Sequence, residues 1–387
     1  MTYDIPGRIT TNEATGTISL KVPSSILLGL SDIVVERKTV EPLSGSESWL
    51  ASIGTARVDN KGGYGFVGRQ NQLAIIDTSR PDEVLAEEKI TKVIDLVSNG
   101  TGVGSVLDTV ATKDFSRVFV ATNRGVSVVD AFTLQQFDVD LSTGGVDSIV
   151  IPGGVTALAL DASERYLYAA GLGQIHVIDL QMNSDNFHRV AQTIAIDAPD
   201  QGRINDLIVN ADGTRLFVAV PVTSMFGVNS WVQGQRQPGH LVAINVDEQD
   251  KPGDSAPNSK KWRQVIGTFD TGIEAYGLAA SSDPTLLMVT SRLQLNKGLQ
   301  TVKITNNSAL GFDVKLTTID LKLNKEQVFV KYFGGGFYGS GFASRSSGQV
   351  HDLDVRNASA VVITPDLSYA FVADWYLPRM YYISDYV

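Results

Sequence analysis

The sequence predicts an all-β chain built as a β-propeller of four-stranded blades, and three observations carry that expectation. A unit made of a short apolar run, a polar turn and a second apolar run recurs six times along 387 residues. The chain has 36 glycines and a charged fraction of only 19%, which suits short strands joined by tight turns better than long solvated helices. A third apolar segment and a more polar fourth follow most units, the gradient expected of a blade that runs from a buried axial strand to a solvated rim.

The copies can be aligned on their turns. Leu158–Ala170 carries its turn at Ser163, and Leu207–Ala219 carries one at Asp212. Val110–Ala121 turns at Asp114, Leu278–Val289 at Asp283, Val361–Ala373 at Asp366, and the looser Val58–Val67 at Asn60. Asp, Asn and Ser bond the backbone just ahead of them and tolerate turn geometry, so each copy is expected to be a β-hairpin. The third strands end in Asp or Asn: Leu73–Asp77, Val126–Asp130, Ile175–Asp179 and Leu241–Asn245. Ala191–Ile196 and Arg263–Thr268 are expected fourth strands.

The tight repeats are about 49 residues apart, within the range of propeller blades. Two longer intervals imply insertions, one at 221–239 with turn-rich 250–261 adding to it, the other at 332–348. The arithmetic gives six blades, with seven as the alternative if a long interval hides a compressed blade. Residues 51–387 are expected to form the propeller and residues 1–50 a lead-in. The final repeat stops after its third strand, Tyr381–Ile383, so Thr17–Val22 is the expected fourth strand that closes the ring and removes an exposed edge.

Composition excludes several functions. A formal net charge of −10 is the wrong sign for nucleic acid and for anionic lipid, so neither is an expected partner. No apolar run is long enough to span a membrane as a helix, so no membrane insertion is expected. With no cysteine there is no disulfide, thiolate nucleophile or thiolate metal site. The start at Met1-Thr2-Tyr3 has no basic stretch followed by an apolar one, and reads as a mature or excised domain.

Within Val118–Asp130, the run Val118-Phe-Val-Ala-Thr-Asn-Arg-Gly-Val-Ser-Val-Val-Asp130 resembles the YVTN-type β-propeller repeat. Val67–Ser79 and Ala169–Asp179 are similar to the same element, and the resemblance extends over roughly residues 50 to 387. The fourth and sixth copies, at Val218–Pro221 and Val372–Trp375, lack its Thr-Asn. The resemblance implies the fold, and a superfamily that includes surface-layer and secreted binding proteins, lactonases and electron-transfer relatives.

Propeller ligands sit at the axis, where loops lead into the innermost strands. The polar residues at those positions are Asp108 and Thr109, Thr156, Arg203 with Asn205 and Asp206, Glu274 with Tyr276, and Arg356 with Asn357. The oxygens of Asp108, Asn205, Asp206, Glu274 and Asn357 would suit Ca²⁺, or the polar residues would line a hydrated channel and satisfy strand ends. In the insertions and beside them, Trp231, His240, Tyr338 and His351 are candidate contacts, with Asp352 and Asp354 close to His351. His176 is expected to be structural within its strand, His188 to be solvated in an edge turn, and Trp262 to cap a blade. No nucleotide-binding loop or nucleophile elbow is present, and Phe333–Phe342 lacks the helix and Lys that a phosphate loop needs. The expected function is a non-enzymatic domain of a secreted or cell-surface bacterial protein, a monomer that binds a protein or glycan without a cofactor. The alternative is a lactonase-like hydrolase or lyase with a cation at the channel mouth.

Overall fold

The computed structural model describes residues 9–12, 17–20, 55–58, 64–77, 90–114, 116–196, 204–220, 239–253, 259–272, 275–291, 299–319, 358–363, 367, 370–374 and 380–383. All of its longer elements are strands. The first sheet orders β3 (Thr55–Val58), β4 (Tyr64–Arg69), β5 (Gln72–Asp77) and β6 (Ile90–Asp95) as a meander. A small hairpin, β7 (Val97–Ser98) and β8 (Thr101–Gly102), leads into the second sheet. That sheet holds β9 (Val106–Ala111), β10 (Arg117–Thr122), β11 (Gly125–Asp130) and β12 (Gln135–Phe137), with β13 (Ile149–Val150) also paired to β11.

The third sheet runs β14 (Ala157–Leu160), β15 (Tyr166–Ala170), β16 (Gln174–Asp179) and β17 (Val190–Ala195). The fourth runs β18 (Asp206–Val209), β19 (Arg215–Val220), β20 (Gly239–Asn245) and β21 (Val265–Gly272). The fifth runs β22 (Ala275–Ala280), β23 (Leu286–Ser291), β24 (Leu299–Ser308) and β25 (Gly311–Ile319). Three strands are described in the sixth: β26 (Ala358–Ile363), β27 (Ala370–Asp374) and β28 (Met380–Ile383). All pairings between the described strands are antiparallel, and the first strands of successive sheets adjoin from β3 through β9, β14, β18 and β22 to β26. This serial packing of antiparallel meanders is a β-propeller-like fold.

The sequence turns act as anticipated, through one device repeated four times. Thr112, Asp161, Asn210 and Ser281 each give a backbone N–H to the carbonyl five residues on, closing the hairpin. The side chains of the first three also accept the amide of that fifth residue: Arg117 to Thr112 at 3.1 Å, Tyr166 to Asp161 at 2.8 Å, Arg215 to Asn210 at 2.8 Å. The Asp or Asn that ends the third strand of the second, third and fourth sheets caps the next turn. Asp130 accepts from the amides of Phe132 and Thr133, Asp179 from Gln181, and Asn245 from Asp247. Both signals are therefore structural.

The core lies between sheets. In β19, Leu216, Val218 and Val220 pack on the third sheet, while Phe217 and Ala219 pack on the fifth. Both faces of such a strand are buried, which is why the second strands read as continuous apolar runs rather than as alternation. The fourth strands β6 and β17 keep mostly polar, partly exposed faces.

The expected ring closure by Thr17–Val22 is not among the described pairings. Thr17–Leu20 is a strand, β2, but it pairs with β1 (Ile9–Asn12) in a separate hairpin, and β28 pairs with β27 alone among the described strands. Only the four residues Glu13–Gly16, ending in a glycine, separate β1 from β2. Closing so short a loop costs much less entropy than pairing across the length of the chain. His188 is a second correction. It is buried, at 5% exposure, because its turn folds against the second sheet instead of projecting into water.

Candidate functional site

Alternating strand direction places the 2–3 turns and the connections between sheets on one face, hereafter the loop face. The backbone bonds Val106 N–H to Gln70 O, Val155 N–H to Thr122 O and Thr156 N–H to Ala170 O hold connections against turns there. The axial positions expected to bind lie at this end of the first strands.

Asp108 and Asp206 occupy matching positions and make matching bonds. Asp108 accepts from its neighbour Thr109 N–H at 2.7 Å and, across the seam, from Leu158 N–H of the third sheet at 2.7 Å. Asp206 accepts from Leu207 N–H at 2.8 Å and from Leu278 N–H of the fifth sheet at 2.7 Å. Each carboxylate thus bridges the same backbone position in two adjacent axial strands. Thr156 and Asn205 also tie across seams. The Thr156 hydroxyl donates to Ile204 O at 2.6 Å, and the Asn205 amide to Ala275 O at 3.0 Å. Thr109 is fully buried, and Tyr276, in β22, is half-buried.

His240 is half-buried at the start of β20, opposite Val220 and Asp270. Arg203, Glu274, Arg356 and Asn357, like Trp231, Tyr338 and His351, lie outside the described residues, as do residues 221–238 and 332–348. Among the described residues no three His, Cys, Asp or Glu side chains converge as a metal-binding group.

A feature of the loop face was not anticipated. The connection after β12 returns as β13, and its loop, 138–148, is locked to the β7–β8 hairpin. Gln136 acts as a surrogate strand neighbour for Val97, accepting from its N–H at 2.9 Å and donating to its carbonyl at 2.7 Å. Ser148 donates to the same carbonyl at 3.1 Å and meets Ser127 at 2.8 Å, and Asn99 N–H bonds Val146 O at 3.0 Å. Leu141 rises from this loop at 87% exposure. Val150, in β13, is 64% exposed, and Leu172 is the apolar residue nearest Gly153 in the turn of the third sheet. The one sequence signal available was Asn99-Gly100, a two-residue hairpin turn whose residues both take positive φ, 49° and 72°. Removing the lock with Gln136→Ala should raise hydrogen exchange in 97–102 and 138–148 about tenfold or more, while the protection of β19 and β20 stays unchanged.

Away from the loop face, the Arg263 guanidinium lies between the rings of Tyr166 at 3.9 Å and Trp262 at 4.1 Å. Its Nη1 donates to Gln192 at 3.4 Å, whereas Nε and Nη2 are buried without a partner. Trp262 also lies under Lys251, at 5.4 Å, so it covers the end of the fourth sheet. Burial of Tyr168 beside this group pushes its phenol well above the ordinary tyrosine range. Arg263→Met would keep apolar contact with both rings and remove two unpaired donors, against the loss of the Gln192 bond and of the charge between the rings, so urea unfolding should show a net loss of no more than about 2 kcal/mol.

No family model matches the chain, and no curated protein matches it. Among solved structures, hydrazine synthase of Kuenenia stuttgartiensis is similar, with a TM-score of 0.55 over 86% of this chain and 84% of that one. Sequence identity is 13%, so the likeness concerns the fold.

Proposed function

We propose that the chain is a six-bladed, closed β-propeller of the YVTN type, which binds a protein or glycan partner through its loop face and channel mouth and performs no catalysis. We further propose that it belongs to a secreted or cell-surface bacterial protein. The observation that carries this reading is the interlocked loop surface of residues 97–102 and 138–150. Its backbone is held in place by Gln136 and Ser148 before any partner arrives, and it presents Leu141 and Val150 to solvent. Such preorganisation lowers the entropy lost on association, and exposed apolar side chains with a polar surround are the usual chemistry of a contact surface. The axial carboxylates fit the same reading, since both oxygens of Asp108 and Asp206 already hold backbone amides together.

The test is binding to arrays of bacterial envelope glycans and proteins. Leu141→Asp paired with Val150→Asp, and separately deletion of 221–239, should each weaken capture at least tenfold while the far-ultraviolet spectrum is retained. Capture unchanged in both variants would overturn the reading. Ca²⁺ or Zn²⁺ at millimolar concentration should leave the melting temperature unchanged. A rise of several degrees that Asp206→Asn abolishes, together with lactone hydrolysis, would point to a cation-dependent hydrolase instead.

A further inference from the structure

The connection between β16 and β17 inserts an aromatic pair into the second sheet. His188 stacks on Phe187, with ring centroids 3.8 Å apart and planes 23° from parallel. Its ring meets Phe137 of β12 edge-on at 5.4 Å and Phe119 of β10 at 6.4 Å. The residue is 5% exposed and holds a left-handed backbone, φ 57°, fixed by its N–H bond to Asp179 O at 2.7 Å. Its Nδ1 is buried without a hydrogen-bond partner. Three aromatic rings, from the connection and the second sheet, therefore surround an ionisable one.

We propose that His188 is an acid-operated latch, which joins the third sheet to the second while its ring is neutral and releases that seam when the ring is protonated.

The charged groups around it oppose a second positive charge or are otherwise engaged. From the second sheet, the Arg117 guanidinium lies over Phe137 at 5.0 Å and pairs with Asp130 at 2.6 Å. Asp130 is held further by the amides of Phe132 and Thr133. From the connection itself, the Asp179 carboxylate accepts from Gln181 and Ser184, Asp185 stands three residues before the ring, and Arg189 follows it with a field that acts on Asp140. Burial first, and the Arg117 charge second, push the imidazole down to about 4. An open connection would restore the ordinary value near 6.5. The contribution of this ring to the closed form is thus fully present above about pH 6.5, shrinks as pH falls, and is wholly lost below about pH 4.

Hydrogen exchange of the full chain, corrected for the intrinsic rate at each pH, tests this. Between pH 7 and pH 4.5 the segments 132–139 and 180–190 should exchange about ten- to a hundredfold faster, with β19 and β20 unchanged. In His188→Phe, which keeps an aromatic ring and cannot titrate, this local acid response should vanish. Should the bulky ring not tolerate the left-handed backbone, His188→Asn suits that conformation and should likewise lack the response. The proposal is overturned by a wild-type seam insensitive to acid, by loosening that spreads equally over all sheets, or by an acid response that survives in the folded variants.

Discussion

Asp206→Ala should lower the free energy of unfolding by about 3–5 kcal/mol, measured as the midpoint shift in urea at neutral pH. The carboxylate accepts two charge-assisted bonds, from Leu207 and Leu278, on either side of the seam between the fourth and fifth sheets. Each such bond contributes about 1.5–3 kcal/mol, and truncation leaves two axial amides short of an acceptor. Asp108→Ala should behave alike, since it makes the same two bonds one pair of sheets earlier. The two seams share no partner, so the double variant should show nearly the sum of the single losses. Losses below about 1 kcal/mol in both would mean that the bridges are replaceable by water and that these aspartates answer to some other demand. The result therefore also bears on function, because a stability loss of this size accounts for the residues without a ligand.

Phe217→Ala is expected to cost about as much, 3–5 kcal/mol by the usual measure of a buried phenylalanine. Its ring is fully buried between the fourth and fifth sheets, against Leu241, Leu278 and Leu287, with the Phe312 ring at 5.5 Å. Gly267 lies under the same ring, where a Cβ would come within 2.6 Å of Phe312, so the wall has little freedom to collapse into the space left. Phe217→Leu should recover more than half of the loss, which separates cavity formation from disturbance of the strand. Calorimetry would show whether the five described seams unfold together: a single transition lowered in temperature is expected, and a split endotherm would show that the sheets melt separately.

Much of the architecture was legible because its causes are local. A turn such as Asn210–Arg215 closes on its own side chains, and the continuous apolar run Leu216–Val220 states that both faces of its strand are covered. Those signals recur at Thr112, Asp161 and Ser281, so they set the repeat length before any contact is known. The long hairpin of β24 and β25 was harder to anticipate, since Lys303, Thr305, Asn306, Asn307, Asp313 and Lys315 read as a polar surface rather than a strand. The β1–β2 hairpin was not anticipated either, although its four-residue connection makes it cheap to close.

For the candidate site the balance is reversed. Position in the repeat put Asp108, Asn205 and Asp206 just before their first strands; Asn205 precedes β18 and Asp206 opens it, while Asp108 lies within β9. Their role depends on what stands across the seam, about 50 to 70 residues away in sequence, and no period reveals a partner's amide. The Gln136 lock and the His188 ring box are of the same kind, because each arises where one sheet meets the next. By itself, then, the sequence determined the all-β class, the four-stranded unit and its phasing, since hydrogen bonding and side-chain alternation within a hairpin are written in adjacent residues. Only the tertiary structure decided which polar groups hold the seams, which histidine is sealed from water and which loops stand rigid on the surface. Those outcomes depend on burial and distance between sheets, and neither is a property of any single repeat.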